Sequence, residues 1–166
     1  MDVVFPIGYH SSVYFEHKDT ITYINEKMYC LAEDTDLFIV GGQSGIVIRD
    51  EGNLDNYNFT QIDFLYATMP DIVILCININ DETEIIERTI KFIEGAVGCK
   101  IAALVVYPIF YEEEDIYKQR KAEMNIERFQ LYKKKLEKKF ALSVFLLSNS
   151  VDINKLVTTI IDRFSE

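Results

Sequence analysis

The apolar residues of this chain fall into two alternating patterns from Ile72 onward. Asp71 is followed by Ile72-Val73-Ile74-Leu75-Cys76-Ile77, an apolar run with no polar alternation. Strands covered by helices on both faces of a sheet read this way. Ile101 to Tyr107, ended by Pro108, repeats the pattern, and so does Leu142 to Leu147. Between and after these runs the period changes to that of a helix. Ile85, Ile86, Thr89, Ile90 and Ile93 stripe a helix that Asn80 or Asp81 can cap and that Gly95 or Gly98 ends, near Ala96. Ile153, Leu156, Val157, Ile160, Ile161 and Phe164 stripe the last helix, with Ser148, Asn149 and Ser150 as its turn and cap. A single long helix is expected from about Glu113 to Lys139, with Tyr117, Met124, Leu131, Tyr132 and Leu136 facing inward. Its acids, Glu112 to Asp115, lie near the N-terminus and its lysines near the C-terminus, as the helix dipole favours.

Upstream the pattern is shorter. Phe59, Ile62, Leu65 and Tyr66 share one face of a helix over Phe59 to Thr68, stopped by Pro70. Asp36 precedes Leu37-Phe38-Ile39-Val40 and then Gly41-Gly42, which predicts a short buried strand ending in a glycine turn. Strand and helix thus alternate four times. That order implies an α/β fold with a mostly parallel sheet and right-handed crossovers. The expected architecture is a three-layer sandwich of P-loop NTPase-like or Rossmann-like topology. The N-terminal third is less regular. Val3 to Phe5, Tyr14 to Phe15 and Thr20 to Ile24 are strand-like, suiting edge strands or an arm. With no repeat or low-complexity linker, residues 1–166 read as one α/β domain, with 1–30 as an irregular or β-rich arm.

Composition narrows the classes. The chain has 166 residues, 49% of them hydrophobic, enough for a real core in a single domain. No apolar run approaches the roughly 20 residues that span a bilayer, and the first residues do not read as an export signal, so a cytoplasmic location is expected. The net charge of -10 opposes nonspecific binding to nucleic acid or anionic lipid. Lys133, Lys134, Lys135, Lys138 and Lys139 accordingly read as a solvated helix face. Cys30, Cys76 and Cys99 are widely spaced and form no C-x-x-C pair, and His10 and His17 are the only imidazoles, so no metal site is expected. Cys76 is expected to be buried.

Ligands of open parallel sheets sit at the carboxyl ends of strands. Gly41-Gly42-Gln43-Ser44-Gly45 is the most suggestive such loop. Its glycines permit positive φ, which lets backbone N–H groups converge on an anion. Gln43 and Ser44 would add neutral polar contacts, and a tight strand exit is the plain alternative. Asn78, Asn80, Asp81 and Glu82 could touch a base, a sugar or a magnesium-bound water, and they equally suit capping. Neither G-x-x-x-x-G-K-[ST] nor G-x-G-x-x-G occurs, and there is no G-x-S-x-G elbow.

Two segments carry a resemblance. Asp36-Leu37-Phe38-Ile39-Val40-Gly41-Gly42-Gln43-Ser44-Gly45 resembles the D-h-h-h-V-E-G-Q-G-S segment of a P-loop family related to dethiobiotin synthetase. Met69-Pro70-Asp71-Ile72-Val73-Ile74-Leu75-Cys76 is similar to that family's P-D-x-x-V-L-C strand. The nearest likeness is to a clostridial branch of peptide-maturation system proteins. The resemblance implies a nucleotide-binding fold and a chain corresponding to the later part of such a protein. It also implies nucleotide and magnesium as cofactors, provided a lysine-bearing phosphate loop is supplied elsewhere. The family's acid after the strand is replaced within the Gly41-Gly42 pair, which removes a carboxylate that would serve magnesium or water. The expected function is therefore a nucleotide-binding-fold protein inactive alone. The alternative is a noncatalytic α/β interaction module. The expected partners are a second copy, joined through the N-terminal arm, or a companion peptide-maturation protein.

Overall fold

The computed structural model describes residues 17–42, 45–47, 59–115, 118–123 and 125–164, with side chains outside 17–18 and 109–123. Two compact units are distinguished, the first reaching to Pro70 and the second built on Asp71–Glu94 and Gly98–Glu166.

In the first unit α1 (His17–Leu31) packs against α2 (Phe59–Thr68). Thr20 to Ile24, expected as a strand, lies inside α1. Its β-branched residues favour a strand locally, but Thr20, Ile24, Met28 and Leu31 recur at helical spacing, and Thr20 and Ile24 are buried. Tertiary burial at that period overrides local propensity. Residues 3–5 and 14–15 lie outside the described residues. A 3-10 turn, Ala32–Asp34, follows α1. Leu37 to Val40 is the clearest departure: it is not a strand, and Leu37, Ile39 and Val40 are exposed. A four-residue apolar run states a wish for burial, but a strand exists only where a neighbour supplies the ladder. α2 ends as expected at Pro70, with Met69 turned to a φ of 40° and its N–H on the Leu65 carbonyl.

The second unit holds β1 (Ile72–Ile77), α3 (Thr83–Val97), β2 (Lys100–Val106), β3 (Ile109–Asp115), β4 (Lys118–Glu123), α4 (Ile126–Phe140), β5 (Ser143–Leu146) and α5 (Ser150–Phe164). β1, β2 and β5 form a parallel three-stranded sheet in the order β1-β2-β5, with helices flanking it. β2 is central, and Ile101 to Val106 are all buried. β1 is less covered than its apolar run predicted. Ile74 and Cys76, which pair with Ala103 and Val105 across the ladder, are exposed. Apolar neighbours still push the Cys76 thiol above its ordinary pKa through partial burial.

The expected helix from Glu113 to Lys139 is two structures. β3 and β4 form a separate antiparallel pair, with Glu112 opposite Arg120 and Asp115 opposite Lys118. The acids at Glu112 to Asp115 thus lie in β3, and the lysines expected to share a helix with them, Lys133 to Lys139, lie in α4. Asn125 then caps α4, its Oδ1 accepting from the Glu127 N–H at 2.7 Å. Phe129 and Leu136 are buried, while Leu131, expected inside, is exposed. Tyr117 and Met124 lie outside the described residues.

α5 also turns differently from its pattern. Leu156 packs against Ala103, Val105 and Phe145. Ile153, Val157, Ile161 and Phe164, expected in the core, are exposed among the described residues. The helix is held at its start by polar contacts, described below. No helix among the described residues is long and apolar enough to cross a membrane.

Candidate functional site

Parallel polarity puts the carboxyl ends of β1, β2 and β5 on one edge of the sheet. The ladder continues one residue past β2 and one past β5. Tyr107 N–H donates to the Ile77 carbonyl at 3.0 Å, and Leu147 N–H to the Val106 carbonyl at 3.1 Å. The loops that follow are Asn78 to Glu82, Tyr107-Pro108, and Leu147 to Asn149.

The first loop closes on itself. The Asn78 N–H donates to Asp81 Oδ2 at 2.8 Å, the Asn80 N–H to Asn78 Oδ1 at 3.1 Å, and the Asp81 N–H to the Asn78 carbonyl at 3.0 Å. The Asn78 carbonyl also accepts the Tyr132 hydroxyl from α4 at 3.1 Å. Asx side chains bond neighbouring backbone in this way wherever the chain reverses sharply. Burial, reinforced by the Asp81 charge, pushes the Tyr132 hydroxyl up to about 12. Tyr132 is therefore a neutral donor throughout the ordinary pH range. The expected cap roles shift by one position. Glu82 directly precedes α3 and makes no side-chain cap bond, while Asp81 serves the turn.

The third loop uses the same chemistry with different spacing. Asn149 Oδ1 accepts from the Val151 N–H at 2.9 Å and the Asp152 N–H at 3.3 Å, capping α5. Asp152, buried at 9% exposure, accepts the Leu146 N–H at 2.9 Å. Asp152 was not among the candidates from sequence. Its signal was an acid three residues after a capping asparagine, the spacing at which a first-turn side chain reaches back. Tyr107, half exposed, stands at the end of the central strand and is the one aromatic face presented there among these loops.

The glycine segment belongs to the first unit. Gly41, Gly42 and Gly45 are exposed, and none has left-handed φ. A β-carbon at Gly42 would stand 2.5 Å from Gln61 Oε1 of α2, a mobile side-chain end, and one at Gly41 would meet nothing. Gln43 and Ser44 lie outside the described residues. Asn78, Asn80 and Asp81 are thus brought into one turn. The hydrogen bonds described above close that turn.

Among the described residues no group of three or more histidine, cysteine or acidic side chains is placed to hold a metal ion. Cys99 is buried, and that burial raises its thiol pKa. An open depression beside β5 and α5 is lined by Phe145, Ser143, Asn154 and Thr158 among others, with neither acid nor imidazole. No family model, curated protein or solved structure matches the chain.

Proposed function

We propose that this chain is a noncatalytic α/β binding module built on the scaffold of a nucleotide-binding sheet. The observation that carries this is the fate of Asn78 and Asp81. At the sheet edge where a catalytic loop would present them to a ligand, both side chains brace the backbone of their own turn. An acid that accepts a main-chain N–H is a positioning group for the loop, and no lysine-bearing phosphate loop occurs in the sequence to grip a triphosphate. Calorimetric titration of the purified chain with ATP and with GTP, each with magnesium, tests this. The expected result is no binding tighter than about 10 μM, near -7 kcal/mol, and no phosphate release. Tighter binding or turnover sinks the reading.

A second reading is favoured by the parallel polarity of β1, β2 and β5. In it the chain is the ligand-facing part of a three-layer, P-loop-like protein that acts with a companion peptide-maturation protein supplying the phosphate grip. The resemblance of Asp36–Gly45 and Met69–Cys76 supports that reading. Nucleotide affinity that arises only on mixing with such a companion would favour it over the first.

A further inference from the structure

Charge is divided unevenly along this chain. Nine basic and three acidic residues fall between Lys118 and Phe140, while the remainder holds eight basic and twenty-four acidic ones. α4 concentrates the excess. Phe129 and Leu136, at 2% and 0% exposure, seat its inner side. Lys139 is drawn to Glu87 at 3.2 Å, and Lys133 to Glu137 at 3.7 Å. Lys134, Lys135 and Lys138 are exposed. At helical spacing they and Arg128, with Glu127 as the one acid, surround Leu131, which is 73% exposed.

An apolar side chain within a mainly cationic ring suits a protein surface better than a phosphate backbone. Interfaces centre on apolar anchors with a polar rim. Nucleic-acid phosphates offer nothing for Leu131, and the acidic remainder of the chain repels a long polyanion.

The complementary pattern is present in the same sequence. Tyr29 to Val40 carries Glu33, Asp34 and Asp36, all exposed. Interleaved with them are Tyr29 at 83% exposure, Leu37 at 57% and Ile39 at 89%. This segment is acidic and apolar where α4 is basic and apolar. We infer that the chain self-associates, the outer face of α4 in one copy receiving the Tyr29–Val40 segment of a second copy. The acids meet the lysine ring, and an apolar side chain covers Leu131. The inference is independent of the nucleotide question at the sheet edge.

Sedimentation of the full chain over a wide concentration range, at low and high salt, tests it. The expected result is reversible association at low salt that weakens as salt screens the charges. One variant, K134E/K135E/K138E, makes both surfaces acidic. A second, E33K/D34K/D36K, makes both basic. Each alone is expected to associate at least about tenfold more weakly than the parent. Mixed in equal amounts, the two present opposite charge at every contact and are expected to associate again. That rescue also shows that each variant is folded. A parent chain monomeric at low salt and high concentration overturns the inference, as does association that both reversals leave unchanged. So does retention of a DNA duplex by the parent without self-association, if the lysine reversal abolishes it.

Discussion

The junctions α3–β2 and α4–β5 are built alike from different sequences. Both helices have 15 residues and each buries two side chains facing inward at matching positions, Ile86 and Ile93 in one, Phe129 and Leu136 in the other. The residue after the second anchor is a glutamate in both. Glu94 Oε1 accepts the Ile101 N–H at 3.4 Å, and Glu137 Oε1 accepts the Val144 N–H at 3.3 Å. The backbone carbonyl of each glutamate accepts the N–H of a left-handed residue at 3.0 Å. One glutamate therefore ends the helix with its main chain and starts the strand with its side chain. The junctions differ at the left-handed position, which is Gly98 at φ 73° in one and Ala141 at φ 55° in the other. What the fold specifies is the conformation. Glycine is one way to reach it, and alanine reaches it with strain of roughly 1 kcal/mol.

The comparison breaks hardest at the anchors. Leu136→Ala and Ile93→Ala are each expected to destabilise by about 3 kcal/mol, from lost burial and the cavity left behind, as read by urea denaturation. If only one of the two costs this much, the junctions are not equivalent. Next come the glutamates. Glu137→Ala leaves the N–H of fully buried Val144 without that acceptor, and a loss of about 2 kcal/mol is expected. Glu94→Ala, with the slightly longer bond, is expected to cost about 1 kcal/mol.

The cap residues sharpen the contrast because their effects have opposite sign. A β-carbon on Gly98 would meet nothing within 4 Å. Gly98→Ala should therefore report backbone strain alone, a loss near 1 kcal/mol. Ala141→Gly should raise the melting temperature, by a gain of about 0.5 kcal/mol, since glycine's larger unfolded-state entropy offsets part of the relief. Equal losses at both sites would show that Ala141 is not strained.

One further effect is confined to alkaline pH and vanishes at neutral pH. Tyr132 holds its proton more tightly in the fold, up to about 12, than an unfolded tyrosine near 10. The stability this represents is complete below pH 10 and is lost as pH rises toward 12. Tyr132→Phe should flatten that alkaline decline while removing the bond to the Asn78 carbonyl. An unchanged pH profile would show that the hydroxyl is not confined.

Much of the second unit was legible in its pattern. The runs at Ile72–Ile77, Ile101–Val106 and Val144–Leu146 are strands, because burial on a parallel sheet leaves little room for polar residues. The hairpin was not legible. β4 reads Lys118-Gln119-Arg120-Lys121-Ala122-Glu123, with almost nothing apolar, so no alternation of apolar and polar residues marks it as a strand. Leu37 to Val40 misled for the reverse reason: hydrophobicity records a preference for burial and is silent on whether a ladder partner exists. At the sheet edge, the asparagines and Asp81 were found by loop position. Their part in turn closure depends on hydrogen bonds that composition cannot distinguish from ligand contacts.

The insertion of β3 and β4 between β2 and α4 has a kinetic consequence. β1 and β2 are consecutive strands joined by one helix, whereas the β2–β5 connection must also carry the hairpin. Lengthening that loop from roughly 20 to roughly 35 residues raises its closure entropy by only about 0.5 kcal/mol. Hairpins form in microseconds from local contacts, so this one shortens the effective tether before β5 has to find its place. The last strand of the sheet therefore searches over a chain already partly reeled in, and excising the hairpin should change the folding rate far less than its length suggests.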